Sequence, residues 1–147
     1  MRALKAVLAP AFVVLLMIMM VVYSEGMRGI AVFLNLEALV LVVLGTLLPL
    51  LAAYPLSEIG RALSAALGSG ESSGRSAEVL DFAADCALAM GWVGTLLGVI
   101  WMLASIKDVA MLPRRMALAL DSLLFGLLFA KLVLAPSARR LAGKAMK

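Results

Sequence analysis

Gly91-Trp92-Val93-Gly94-Thr95-Leu96-Leu97-Gly98-Val99-Ile100 is the stretch whose reading decides the fold. Its glycines and single hydroxyl sit at helical spacing inside a segment apolar enough to cross a bilayer. Gly94 and Gly98 make a small-xxx-small pair, which lets another helix approach the backbone closely. Gly91, Thr95 and Gly98 follow the i, i+4, i+7 rule and form one smooth stripe with one polar group. Such stripes are ordinary in transmembrane bundles, and a threonine hydroxyl readily bonds the carbonyl one turn back, so close packing accounts for the stripe by itself. An ion or water contact at Thr95 is the functional alternative.

Composition sets the class around this stretch. In 147 residues, 65% are hydrophobic and 15% charged, with mean hydropathy +1.11. A soluble domain carries about a quarter charged residues. Four apolar runs, Val7–Tyr23, Ile30–Tyr54, Cys86–Ile106 and Met116–Ala135, each approach the roughly 20 residues that span a hydrocarbon core. The expectation is an all-α integral membrane protein with four transmembrane helices in two hairpins. Residues 1–147 then form a single four-span domain, interrupted by a short loop at about 56–84. Met1–Glu25 opens with Arg2 and Lys5 but has too long an apolar run and no A-x-A site, so it reads as a retained anchor rather than a signal peptide.

Charge orients the chain. With the N-terminus inside, Arg2, Lys5, Arg61, Arg75, Arg139, Arg140, Lys144 and Lys147 lie inside, and Arg28, Lys107, Arg114 and Arg115 outside. The positive-inside rule then favours both termini in the cytoplasm. The basic tail facing anionic headgroups accounts for the net charge of +4, with no call for nucleic acid. Histidine is absent and Cys86 is the sole cysteine, so Cys/His metal sites, a histidine base and internal disulfides are excluded. Gly68-Ser69-Gly70-Glu71-Ser72-Ser73-Gly74 reads as a flexible turn and not a phosphate-cradling loop. No enzyme, cofactor or metal site is expected.

Tyr54-Pro55 closes the second span, and Leu56, Ile59, Leu63 and Leu67 at helical spacing predict a short amphipathic helix along the inner surface. Ser76 reads as an N-cap for a third helix starting near Ala77, with Glu78, Asp81 and Asp85 favoured by its dipole. Ser122, Gly126 and Ala130, spaced by four, form a second small-residue face. Two charges fall within apolar runs, where ionisable groups are functional candidates. Asp121 either pairs with Arg114, seven residues earlier on nearly the same face, or stands in a hydrated outer half-channel. Lys131 is placed to snorkel to the inner headgroups. Glu37 is placed to meet Arg28 or Lys107.

Gly91–Ile100 continues through Trp101-Met102-Leu103-Ala104-Ser105, a short loop with Asp108, Met116-Ala117-Leu118-Ala119-Leu120 and Phe125-Gly126-Leu127-Leu128-Phe129-Ala130 to Pro136. This run resembles the third and fourth helices of the MotA/TolQ/ExbB proton-channel family, closest to its flagellar MotA type. Phe33-Leu34-Asn35-Leu36, Leu44-Gly45-Thr46 and Tyr54-Pro55-Leu56-Ser57-Glu58-Ile59 resemble the second helix and its exit. Together the two stretches cover more than half of the chain in the right order.

The resemblance implies an A-type ring subunit of a bacterial inner-membrane motor or energy transducer. Five copies would surround single-span B-type helices of the MotB/TolR/ExbD kind, whose aspartate carries the ion. Thr95 matches the family threonine of the third helix, and Ser122 takes the place of the first of two hydroxyl residues in the fourth. Thr95, Ser122 and, in the half-channel alternative, Asp121 would line the ion path. Gly91, Gly94, Gly98, Gly126 and Ala130 would supply close helix and oligomer contacts. Leu123 replaces the second hydroxyl, which favours protons over sodium, and Leu88 replaces a proline before the glycine run. The large cytoplasmic domain of flagellar members is missing. Two further readings therefore stand beside the first: a TolQ/ExbB-like transducer without rotor contact, and a non-conducting membrane scaffold.

Overall fold

A computed structural model describes residues 35–68, 73–104, 107, 109–145 and, before them, positions 12, 15, 16, 19, 20 and 22–24. Residues 1–36 and 37–147 form separate compact units. In the first unit Phe12, Leu15, Leu16, Met19, Met20, Val22, Tyr23 and Ser24 are helical. The remainder of the predicted first span, Val7–Tyr23, lies outside the described residues.

In the second unit, helices α1 (Leu36–Ala53), α2 (Leu56–Ala66), α3 (Gly74–Ala104), α4 (Leu112–Leu127) and α5 (Ala135–Ala145) follow in order, and a π-helix, Leu128–Leu134, joins α4 to α5. No strand occurs among the described residues. Leu36–Ala53, Gly74–Ala104 and Leu112–Lys144 are long and apolar enough to cross a membrane. They carry the second, third and fourth predicted spans, so three of the four expected spans are seen among the described residues.

Charge positions mark the depth of the bilayer. Cys86–Ala104 of α3 contains no charged residue, and its 19 residues rise about 28 Å, close to a hydrocarbon core. Glu78, Asp81 and Asp85 precede it and are exposed. Ala130 packs with Ala84 and Ala87, which sets the exposed Lys131 at the level of Asp85. At the opposite end the Arg114 guanidinium meets the Glu37 carboxylate at 2.8 Å. Asp121 alone interrupts the band between these two charged levels on α4.

α3 is therefore longer than the membrane requires, and its first turns form a collar with α2 and α5. Leu50, Ala62, Ala65, Ala77, Val79, Leu80, Ala83, Ala138 and Leu141 make one buried cluster there. α2 buries the stripe of Ala62 and Ala65, whereas Leu56, Leu63 and Leu67 remain exposed at 75%, 53% and 80%. The predicted amphipathic helix thus has two apolar faces, one closed by α3 and one left open. Residues 56–84 form helix for most of the described length, broken at Leu67–Gly68, where Gly68 takes φ +90 and ends the turn.

The start of α3 corrects one expectation. The helix begins at Gly74, and the N–H of Arg75 donates to Ser73 Oγ at 3.2 Å while Ser76 and Ala77 donate to the Ser73 carbonyl. Ser73 caps the helix, and Ser76 lies inside it, buried at 6% exposure. Glu78, Asp81 and Asp85 then lie past the first turn, beyond the reach of the helix dipole, and their place is explained by exposure to water. α3 runs unbroken through Leu88, as a residue with a free backbone N–H permits.

The π-helix has a cause legible in the buried stripe. Leu118, Ser122, Gly126, Ala130 and Ala138 are buried at four-residue multiples. In an α-helix each step of four advances about 40°, so the stripe would drift roughly 160° between Ser122 and Ala138 and leave α3. Wider π winding over seven residues returns about 120° of this drift and keeps both ends on the same neighbour. The bond from Ala135 N–H to the Ala130 carbonyl shows the i→i−5 register. Pro136, which has no N–H to donate, follows directly and weakens the competing α register.

Candidate functional site

Within the uncharged band α3 and α4 approach to backbone contact. A Cβ placed on Gly126 would lie 2.7 Å from the Gly91 Cα and 2.8 Å from the Ala87 carbonyl oxygen. One placed on Gly98 would lie 2.8 Å from the Ala119 Cα, and one on Gly94 would lie 2.6 Å from the Ser122 Cβ and 2.8 Å from Leu41 Cδ2 of α1. The glycine stripe is thus spent on contacts inside one chain. Gly91, Gly94, Gly98 and Gly126 all serve the α3–α4 contact, and Ala130 continues it against Ala84 and Ala87.

This contact sets the hydroxyls at one level of the bundle. Thr95 Oγ1 reaches the Gly91 carbonyl at 2.9 Å and the Ala119 carbonyl across the helix interface at 3.0 Å. One hydroxyl proton serves two acceptors, so the group can swing between its own helix and α4 without breaking other bonds. Ser122 Oγ donates to the Leu118 carbonyl at 2.8 Å and is wholly enclosed beneath Gly94. Asp121 directly precedes it on the same turn and is 8% exposed. It lies seven residues, about 10 Å of rise, from Arg114. Two hydroxyls and one carboxyl thus share a narrow slab in an otherwise apolar band.

The expected Arg114–Asp121 pair is not formed. Arg114 turns to Glu37 of α1, away from the band, because both groups then keep their hydration: their side chains are 72% and 62% exposed. The Glu37 carboxylate thus meets Arg114, and Arg28, one of its expected partners, lies outside the described residues. Arg115 donates from a guanidinium nitrogen to the Trp101 carbonyl and ties the ends of α3 and α4 together. Glu37, Trp101, Met111, Arg114, Arg115 and Leu118 line an open cleft of about 430 Å³ at this end, and Leu118 stands between it and the level of Asp121.

Sequence reasoning passed over Ala119, Leu118 and Leu41. Ala119 precedes Ser122 by three and extends the same small-residue face, so spacing alone carried the signal. Leu41 belongs to a third helix, and no pattern within α3 or α4 points to it. Among the described residues no cluster of acids and cysteine is arranged to hold a metal.

These features define a multi-pass helical membrane protein with a polar level enclosed in glycine-packed helices. Residues 54–147 match the MotA/TolQ/ExbB proton channel family, and the chain belongs to it. No curated protein and no solved structure matches the chain.

Proposed function

We propose that the chain is the A-type ring subunit of a proton-driven inner-membrane motor or energy transducer. Five copies surround single-span B-type helices and conduct protons together with them, with both termini of each copy in the cytoplasm. The reading rests on one observation: in a member of a proton channel family, Thr95, Ser122 and Asp121 gather at one level of a band that is otherwise free of charge. A hydroxyl that accepts and donates can pass a proton along such a level, whereas two apolar side chains of the same shape cannot. Hence Thr95→Val with Ser122→Val should lower proton uptake into liposomes carrying the subunit and its B partner by at least tenfold, with the assembly still formed. Unchanged uptake would remove both residues from the path and favour the scaffold. Asp121→Asn in the same assay separates a carboxyl that carries the proton from one that only shapes the level.

A second reading keeps conduction but changes the driven machine. Among the described residues, α2 and the first turns of α3 stand between the second and third spans, a small surface for gripping a rotor. This favours a TolQ/ExbB-like transducer of an envelope machine over a flagellar stator.

A further inference from the structure

The collar contains a polar cavity for which the conduction reading has no use. It measures about 390 Å³ and is lined by Glu58, Arg61 and Ser64 of α2 and by Ser73, Arg75, Ser76 and Val79 at the start of α3. We propose that it binds a phosphate-bearing anion.

Four observations carry this. First, the cavity walls hold two guanidinium groups and the hydroxyls of Ser73 and Ser76, a donor set that suits tetrahedral oxyanions, while the Ser64 hydroxyl already donates to the Arg61 carbonyl at 2.9 Å. Second, the charges are not balanced. Glu58 pairs with Arg75 at 3.1 Å, whereas Arg61 makes no ion pair among the described residues, so the described lining carries one net positive charge. Third, Ser76 is 6% exposed, lines the cavity, and its hydroxyl makes no hydrogen bond. Its proton is therefore free to be donated to an acceptor that enters the cavity. Fourth, the positive end of the α3 dipole lies at this cavity. The backbone N–H groups of Arg75, Ser76 and Ala77 are already taken by Ser73, so the anion is held by side chains, with the dipole adding its field.

Depth narrows the source. Ser76 precedes the uncharged band by ten residues of α3, about 15 Å of rise, whereas headgroups extend only about 5–7 Å beyond the hydrocarbon core. A soluble phosphate compound reaches the cavity freely, and a phospholipid headgroup reaches it only if α3 tilts steeply.

The test uses the full chain in phosphatidylcholine nanodiscs, titrated with inorganic phosphate and read by thermal shift and by phosphorus NMR line broadening. Phosphate should raise the melting temperature in a saturable way, and chloride at the same ionic strength should not. Ser76→Ala, which suits a helix and should fold normally, and Arg61→Gln should each weaken phosphate binding at least tenfold. Glu58→Gln should tighten it severalfold, because it removes the one negative wall charge and releases Arg75. A purely structural cavity would not respond with that sign. A second arm replaces phosphate by nanodiscs containing phosphatidylglycerol. A melting shift there that disappears in Arg61→Gln would assign the headgroup as the source. No response to phosphate or to phosphatidylglycerol would overturn the proposal, as would equal responses in the wild type and all three variants. Neither outcome bears on proton uptake, so the site and the conduction reading stand or fall separately.

Discussion

Helix α3 packs by two different rules along its length. In the uncharged band it meets α4 through Gly91, Gly94 and Gly98, and in the collar it meets α2 and α5 through Ala77, Val79, Leu80 and Ala83. The difference follows from the solvent. Lipid tails are as apolar as leucine, so burying a large side chain between helices in the band gains little, and association depends on close approach and on bonds such as Thr95 to the Ala119 carbonyl. In the collar, water drives apolar side chains together, at about 25 cal/mol per Å² removed from contact with it. One continuous helix therefore changes from small to larger contact residues where it leaves the bilayer.

The largest effect should come from filling the band contact. Gly94→Leu forces side-chain atoms into Ser122 and Leu41, and should cost at least about 3 kcal/mol and separate α4 from α3. Gly60→Leu in the collar, where a Cβ meets nothing within 4 Å, should leave the melting temperature nearly unchanged. Thermal melts of both variants in nanodiscs measure the contrast, and equal losses would break it.

Emptying the collar should cost somewhat less. Leu80 is 2% exposed and sits in the apolar cluster, so Leu80→Ala should destabilise by about 2 kcal/mol, the low end for such a truncation, through lost burial and a cavity. Hydrogen exchange should then rise in α2 and α5 while the α3–α4 bonds of the band stay protected. Exchange rising equally in both regions would mean that they form one cooperative unit.

The smallest effect should come from shortening the junction between the two regimes. Deleting Leu132 turns seven π residues into six α residues, which sweep nearly the same angle, so Ser122 and Ala138 both stay on α3. Stability should change by less than about 1 kcal/mol, within the range of changes that touch no named contact. Inserting one alanine there instead rotates α5 by about 100° and should disrupt the collar. A deletion as damaging as the insertion would show that the π winding does more than keep register.

Much of this architecture was open to reading from the chain. Glycines at helical spacing inside Gly91–Ile100 marked a close contact, and Tyr54-Pro55 marked the end of the second span, because proline cannot continue the bonding of the helix before it. The four-residue spacing of Ser122, Gly126 and Ala130 was equally visible. Its consequence, the π-helix at Leu128–Leu134, was not, because it depends on Ala138 having to face the same helix as Ser122.

The choice of partner for each polar group lay further out of reach. Arg114 sits on nearly the same face as Asp121, and a one-dimensional reading pairs them. In three dimensions α1 brings Glu37 to Arg114 at a level where both remain hydrated, and desolvating Arg114 to reach Asp121 would cost more than the pair returns. The phosphate-sized cavity likewise depends on α2 folding back against the start of α3, which sets Arg61 beside Ser76 fifteen positions later. By itself, then, the sequence determined the membrane class, the helical spans and the small-residue contacts, since hydropathy and helical period are properties of neighbouring residues. Only the tertiary structure decided which face of each helix meets which, because that depends on how the helices cross and on which charges keep their water.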